Sequence, residues 1–82
     1  MLVTIKYFAS IREAIGQASE QRETAATTLA GLRDELLASS PAYACLSPGR
    51  AVRMALGQVM SDEAAMLTPD CEVAFFPPVT GG

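Results

Sequence analysis

Val73-Ala74-Phe75-Phe76-Pro77-Pro78-Val79-Thr80-Gly81-Gly82 runs from an aromatic strand through two prolines to a double glycine. In the strand-like run from Glu72 to Phe76, Val73 and Phe75 share one face and Ala74 and Phe76 the other. Proline has a fixed φ and no N–H, so Pro77 and Pro78 cannot extend a sheet ladder and bias Phe76 and Pro77 towards extended backbone. Four residues beyond Pro78 reach roughly 13–14 Å at an extended rise of ~3.3–3.6 Å each. That is far enough to carry a terminal carboxylate into another protein's active site. Gly81 and Gly82 have no Cβ, so a narrow channel admits them in any conformation it imposes. A frayed terminus is the plain alternative, but an aromatic strand, a proline pair and Gly-Gly in that order point to a stiffened arm. The chain accordingly divides into a body, residues 1–76, and an extended tail, residues 77–82.

Moving upstream, Thr68-Pro69-Asp70-Cys71 is a turn with proline at its second position. Val52, Met54 and Leu56 alternate with Ala51, Arg53 and Ala55 as a strand. Gly57-Gln58 predicts a type II′ hairpin, with Val59 and Met60 returning as a short partner strand. Ser61 to Leu67 connects onward with room for a brief turn of helix, and Ser47-Pro48-Gly49 is a turn signal. Leu29, Leu32, Leu36 and Leu37 fall at i, i+3, i+7 and i+8, with Arg33, Asp34 and Glu35 opposite. This spacing predicts an amphipathic helix of roughly three turns, capped by Thr27 or Thr28 and stopped near Ser40 by Pro41. Pro41 to Leu46 adds a single helical turn.

At the other end, Val3, Ile5 and Tyr7 alternate with Thr4 and Lys6 as a first strand. Ser10 and Glu13 form a capping-box pattern for a short helix with Phe8, Ile11 and Ile15 on one stripe and Gly16 as its C-cap. The polar stretch from Ala18 to Thr24 fits a loop or a charged edge strand, and is read as the edge strand. One longer helix across one face of a mixed sheet of four to five strands buries both apolar sets, giving a two-layer α+β domain.

Eighty-two residues make one small domain, which buries about 60–65% of the surface its unfolded chain exposes. A hydrophobic fraction of 50% suffices for a core without staples. Net charge is −3, and the six Lys and Arg are scattered, which argues against nucleic-acid binding. No apolar run approaches the ~20 residues of a membrane span, and the N-terminus lacks the pattern of a signal peptide. A cytoplasmic setting with Cys45 and Cys71 as reduced thiols is expected. Cys45 reads as a small core residue and Cys71 as a more exposed turn residue. With no histidine in the chain, a Ser-His-Asp triad and the common zinc sites lack their imidazole, and catalysis by this chain alone is not expected.

The element order, the Leu56-Gly57-Gln58-Val59 hairpin and the Gly81-Gly82 end together resemble the β-grasp, or ubiquitin-like, fold. The run from Val73 to Gly82 resembles the tail of the small subunits of molybdopterin synthase. Tyr7-Phe8-Ala9-Ser10-Ile11-Arg12-Glu13-Ala14-Ile15-Gly16 resembles that family's first strand and helix. One departure lies in Pro69-Asp70-Cys71-Glu72-Val73, where the family often has Asp-Gly-Asp-Glu-Val; aspartate is among the side chains that tolerate left-handed backbone.

The resemblance implies a sulfur carrier within a sulfurtransferase complex, a heterotetramer with the large catalytic subunit. No cofactor would be permanently bound. A ubiquitin-activating-type adenylyltransferase would spend ATP to convert the Gly82 carboxylate to an acyl adenylate, and a persulfide donor would turn that into a thiocarboxylate. The tail would then enter the large subunit and give its sulfur to cyclic pyranopterin monophosphate, building the molybdopterin dithiolene. Gly82 would be the covalent site, with Gly81, Thr80 and Val79 in the partner's tunnel and Phe76, Pro77 and Pro78 at the docking surface. Phe76 has two readings, an exposed docking patch or a second sheet face packed under the helix. Arg12 and Glu13 read as solvated helix residues. The activation chemistry is shared by protein modifiers that join to lysines and by carriers for other products such as the thiamine thiazole; the Phe-Phe-Pro-Pro run argues against the latter.

Overall fold

The computed structural model describes residues 1–47 and 50–78. The turn read at Ser47-Pro48-Gly49 therefore falls partly outside the described residues, and Val79, Thr80, Gly81 and Gly82 fall wholly outside them.

Two strands, β1 (Leu2–Tyr7) and the last of the chain, Glu72–Phe76, run parallel at the centre of a five-stranded sheet. Between them in sequence come α1 (Ala9–Ile15), β2 (Ser19–Glu23), α2 (Leu29–Ser39), a 3₁₀ helix (Pro41–Leu46), β3 (Arg53–Leu56) and β4 (Val59–Ser61), so the last strand is β5. The spatial order is β2-β1-β5-β3-β4, with every pairing other than β1 to β5 antiparallel. Polar β2 lies at one edge, as its charge predicts. The mixed sheet with one main helix across it is the β-grasp architecture expected from the sequence.

One face of the sheet is dry. Ile5 pairs with Val73 and Tyr7 with Phe75, and β3 places Leu56 and Met54 beside the same two residues. Leu29, Leu32 and Leu36 of α2 close over this face at 0% exposure, joined by Ile11 and Leu46. At about 25 cal/mol per Å² of apolar surface removed from water, this layer is the main stabilising term. Tyr7 stacks on Phe75 with ring centroids 6.2 Å apart and meets Tyr43 at 6.3 Å.

The first three amides of α2, those of Leu29, Ala30 and Gly31, all find partners outside the helical ladder. Thr28 is the cap, its Oγ1 accepting from the Gly31 amide at 3.1 Å, and its carbonyl accepts from Leu32. The Leu29 and Ala30 amides donate to the carbonyls of Ala65 and Glu63. The segment from Asp62 to Leu67 thus clamps the helix start through a hydrogen-bonded turn and a bridge between Thr28 and Met66, and contains no helix. Arg33 and Glu35 are tied rather than free on their face of α2: Arg33 pairs with Glu63 at 2.8 Å, and Glu35 accepts from the Thr24 hydroxyl.

Two local expectations are corrected. Ser10 does not cap α1, because the helix starts two residues earlier than such a cap would allow, at Ala9, and its N-cap is Phe8, with no side-chain cap bond. Phe8 is already held by the sheet, its amide donating to the Phe75 carbonyl, and its own carbonyl accepts from Ile11 and Arg12. The β3–β4 turn is type I′ rather than II′, since Gly57 and Gln58 both have positive φ, +58° and +67°. Gly16 ends α1 as expected, at φ +91° with its amide on the Arg12 carbonyl. Asp70 takes φ +62° at the third position of the Thr68–Cys71 turn, whose Cys71 amide donates to Thr68; proline before a positive φ is the type II pattern.

Candidate functional site

The second face of the sheet carries no helix. Strand alternation assigns it Thr4 and Lys6 from β1, Glu72, Ala74 and Phe76 from β5, Arg53 and Ala55 from β3, and Met60 from β4. Phe8 continues the same side beyond β1. Phe8 and Phe76 meet edge to face, centroids 6.5 Å apart and planes at 83°. Phe8 is 47% exposed and Met60 59% exposed, while Phe76 is half-buried. Between them Ala74 pairs with Ala55, and Ala55 with Met60, so two small residues separate the larger ones.

This placement removes one reading of Phe76, that of a second sheet face packed under the helix. Phe76 lies on the helix-free face, beside an exposed aromatic ring, and not under α2. Pro77 and Pro78 follow at once, outside any strand and half-buried, so the aromatic pair of Phe8 and Phe76 adjoins the root of the tail. Gly82, Gly81, Thr80 and Val79 lie outside the described residues. Phe8 was legible but misassigned: the period of two in Leu2, Thr4 and Lys6 extends to it, whereas the helical stripe that grouped it with Ile11 and Ile15 did not hold. Met60, Ala55 and Arg53 join the face only through cross-strand register.

Electrostatics around the face are sparse. Lys6 and Glu72 form a surface pair at 3.5 Å, and Arg53, opposite Phe76, has no ion-pair partner among the described residues. Cys45 and Cys71 are both free thiols of intermediate exposure, and burial raises the Cys45 thiol pKa. Among the described residues no three His, Cys, Asp or Glu side chains gather as a metal site. No described helix is long and apolar enough to cross a membrane.

A ubiquitin-like β-grasp domain whose uncovered apolar face leads into a proline-stiffened C-terminal segment is the class that fold and site define. The chain belongs to the ThiS family, whose model matches residues 5–82. It is 32% identical over 81 residues to the molybdopterin synthase sulfur carrier subunit of Escherichia coli, covering 99% of this chain and 100% of that protein. Among solved structures it is similar to SAMP1 from Haloferax volcanii, with a TM-score of 0.80, 20% identity and full coverage of both chains. It is also similar to a chain in the complex of subunits 1 and 2 of molybdopterin-converting factor from Helicobacter pylori, with a TM-score of 0.70, 22% identity and full coverage of both.

Proposed function

We propose that this chain is the sulfur carrier subunit of a molybdopterin synthase and works through its terminal carboxylate at Gly82. The observation that carries the reading is the end-to-end match to a molybdopterin synthase sulfur carrier subunit at 32% identity. The apolar face at the tail root supports it, because a carrier must dock before its tip can be used. In the Helicobacter neighbour the similar chain is one half of a complex between subunits 1 and 2. A large catalytic subunit is the corresponding partner here, in a heterotetramer in the cytoplasm.

A carboxylate is a poor electrophile because its charge is shared over both oxygens. An adenylyltransferase partner joins it to the α-phosphate of ATP, releasing pyrophosphate, and AMP then becomes the leaving group. A persulfide sulfur displaces AMP, and reduction of the remaining S–S bond by a thiol leaves the Gly82 thiocarboxylate. Delivery of that sulfur to cyclic pyranopterin monophosphate returns the carboxylate, so a dithiolene takes two loaded carriers. In this sequence of steps Phe8, Phe76 and Met60 seat the body on its partner, Pro77 and Pro78 aim the arm, and Val79, Thr80 and Gly81 thread the tunnel.

The test is mass spectrometry of the C-terminal peptide from cells that contain the activating partner, joined to rescue of molybdoenzyme activity in a strain lacking the carrier. Oxygen replaced by sulfur at Gly82, together with rescue, is expected. Ladders of larger conjugates without a thiocarboxylate would replace this reading with a protein modifier, and rescue of thiazole synthesis alone would replace it with another carrier.

A further inference from the structure

Beside β4 lies a cavity of about 480 Å³, framed by the 3₁₀ helix, β3 and the segment following β4. Its apolar lining includes Leu46, Val52 and Met54, and Met60 stands at its wall. Three of the chain's six cationic side chains, Arg33, Arg50 and Arg53, line it as well. Arg33 is spoken for, with its side chain 12% exposed and paired to Glu63 at 2.8 Å. Arg50 and Arg53 are exposed and form no ion pair or side-chain hydrogen bond among the described residues. Asp62, the other carboxylate at the cavity, accepts from the Ala64 amide.

Arg53 and Met60 belong both to this cavity and to the helix-free face. A protein covering Phe8, Phe76 and Met60 therefore also reaches residues that line the cavity. Two unpaired guanidinium groups in one cavity with an apolar lining are complementary to a segment carrying carboxylates next to an apolar side chain, and guanidinium binds carboxylate in a planar, bidentate fork.

We propose that this cavity receives an acidic segment of the protein that docks on the helix-free face, with Arg50 and Arg53 pairing its carboxylates. The inference rests on the reading of that face as the docking surface for the large synthase subunit. Because these charges sit at the rim of the contact, they act on association rate and on selection among partners more than on the apolar anchor.

The experiment measures binding of the full chain to its large subunit over a range of salt concentrations, for wild type, for Arg50→Glu with Arg53→Glu, and for the same pair changed to Ala. Thermal melts accompany each, and both arginines are exposed enough for the variants to fold. The expected result is wild-type affinity that falls with salt, about tenfold or greater weakening in the Glu pair, and a flatter salt dependence in the Ala pair. Affinity and salt dependence unchanged in both pairs would overturn the assignment while leaving the functional reading in place. No complex with the wild-type chain would remove that reading and this inference with it. Two further results would reassign the cavity and overturn the proposal. One is saturable binding of AMP or inorganic phosphate by the free chain, lost in the Ala pair; the other is self-association that depends on the same arginines.

Discussion

Phe8 and Phe76 are 68 positions apart in the chain and stand edge to face at 6.5 Å, on the side of the sheet that no helix covers. The contact exists because β1 and β5 run parallel, so both strands end at the same edge of the body and the tail departs from beside an exposed ring. Paired aromatics at the centre of an apolar patch are the usual anchors of a protein interface. Replacing Phe8 or Phe76 by Ala is expected to weaken binding to the large subunit by about 2 kcal/mol or more. For Phe8, half exposed, the loss of stability stays within about 1 kcal/mol. Calorimetric titration of the partner, set beside urea unfolding of the free chain, separates the two effects.

The positive-φ positions make a second prediction, because their side chains meet different penalties. A Cβ at Gly57 would meet no atom within 4 Å, so Gly57→Ala costs only the left-handed backbone penalty, about 1 kcal/mol. Asp70→Gly acts in the opposite direction and stabilises by up to about 1 kcal/mol, since Asp70 already sits at φ +62°. Urea midpoints of the two variants should move to opposite sides of the wild type.

Tyr7 gives the chain an alkaline weakness. Burial, with the Glu20 carboxylate and Tyr43 beside it, pushes the Tyr7 hydroxyl well above its ordinary value, and burial raises Tyr43 as well. The folded state therefore keeps phenolic protons that the unfolded chain releases above pH about 10. Stability is unaffected by these groups below that pH and falls above it, by up to about 1.4 kcal/mol per pH unit for each tyrosine. The Tyr7 hydroxyl is buried with no hydrogen-bond partner among the described residues. Tyr7→Phe should accordingly match or exceed wild-type stability at neutral pH by up to about 1 kcal/mol and flatten the alkaline decline. Denaturant unfolding between pH 8 and 11 measures both.

Extending the chain by one residue past Gly82 leaves the core untouched and removes the carboxylate from its place. The expected outcome is an unchanged melting temperature, no oxygen-for-sulfur exchange at the C-terminal peptide and no rescue of molybdoenzyme activity. Rescue by an untrimmed extended chain would overturn the role of Gly82.

Much of this was present in local pattern. The alternation of Val3, Ile5 and Tyr7, the leucine spacing of α2, a threonine cap at Thr27 or Thr28, Gly16 and the polar edge of β2 each depend on residues within a turn or two of one another. The left-handed Asp70 was legible for the same reason: a short acidic side chain tolerates that backbone wherever it sits.

What sequence could not decide was which face of the sheet stayed open and what stood on it. Phe76 alternates away from Phe75 in any strand, but only the one-sided packing of α2 makes that side the uncovered one. Phe8 shifted from a helical stripe to the open face because its amide is claimed by Phe75, a contact made across almost the whole chain. Arg50 and Arg53 read as two scattered charges until the packing of β3, β4 and the 3₁₀ helix brought both to the lining of one cavity. Local sequence sets backbone preference and the period of burial, whereas long-range strand pairing decides which side chains become neighbours, and a docking surface is made of neighbours.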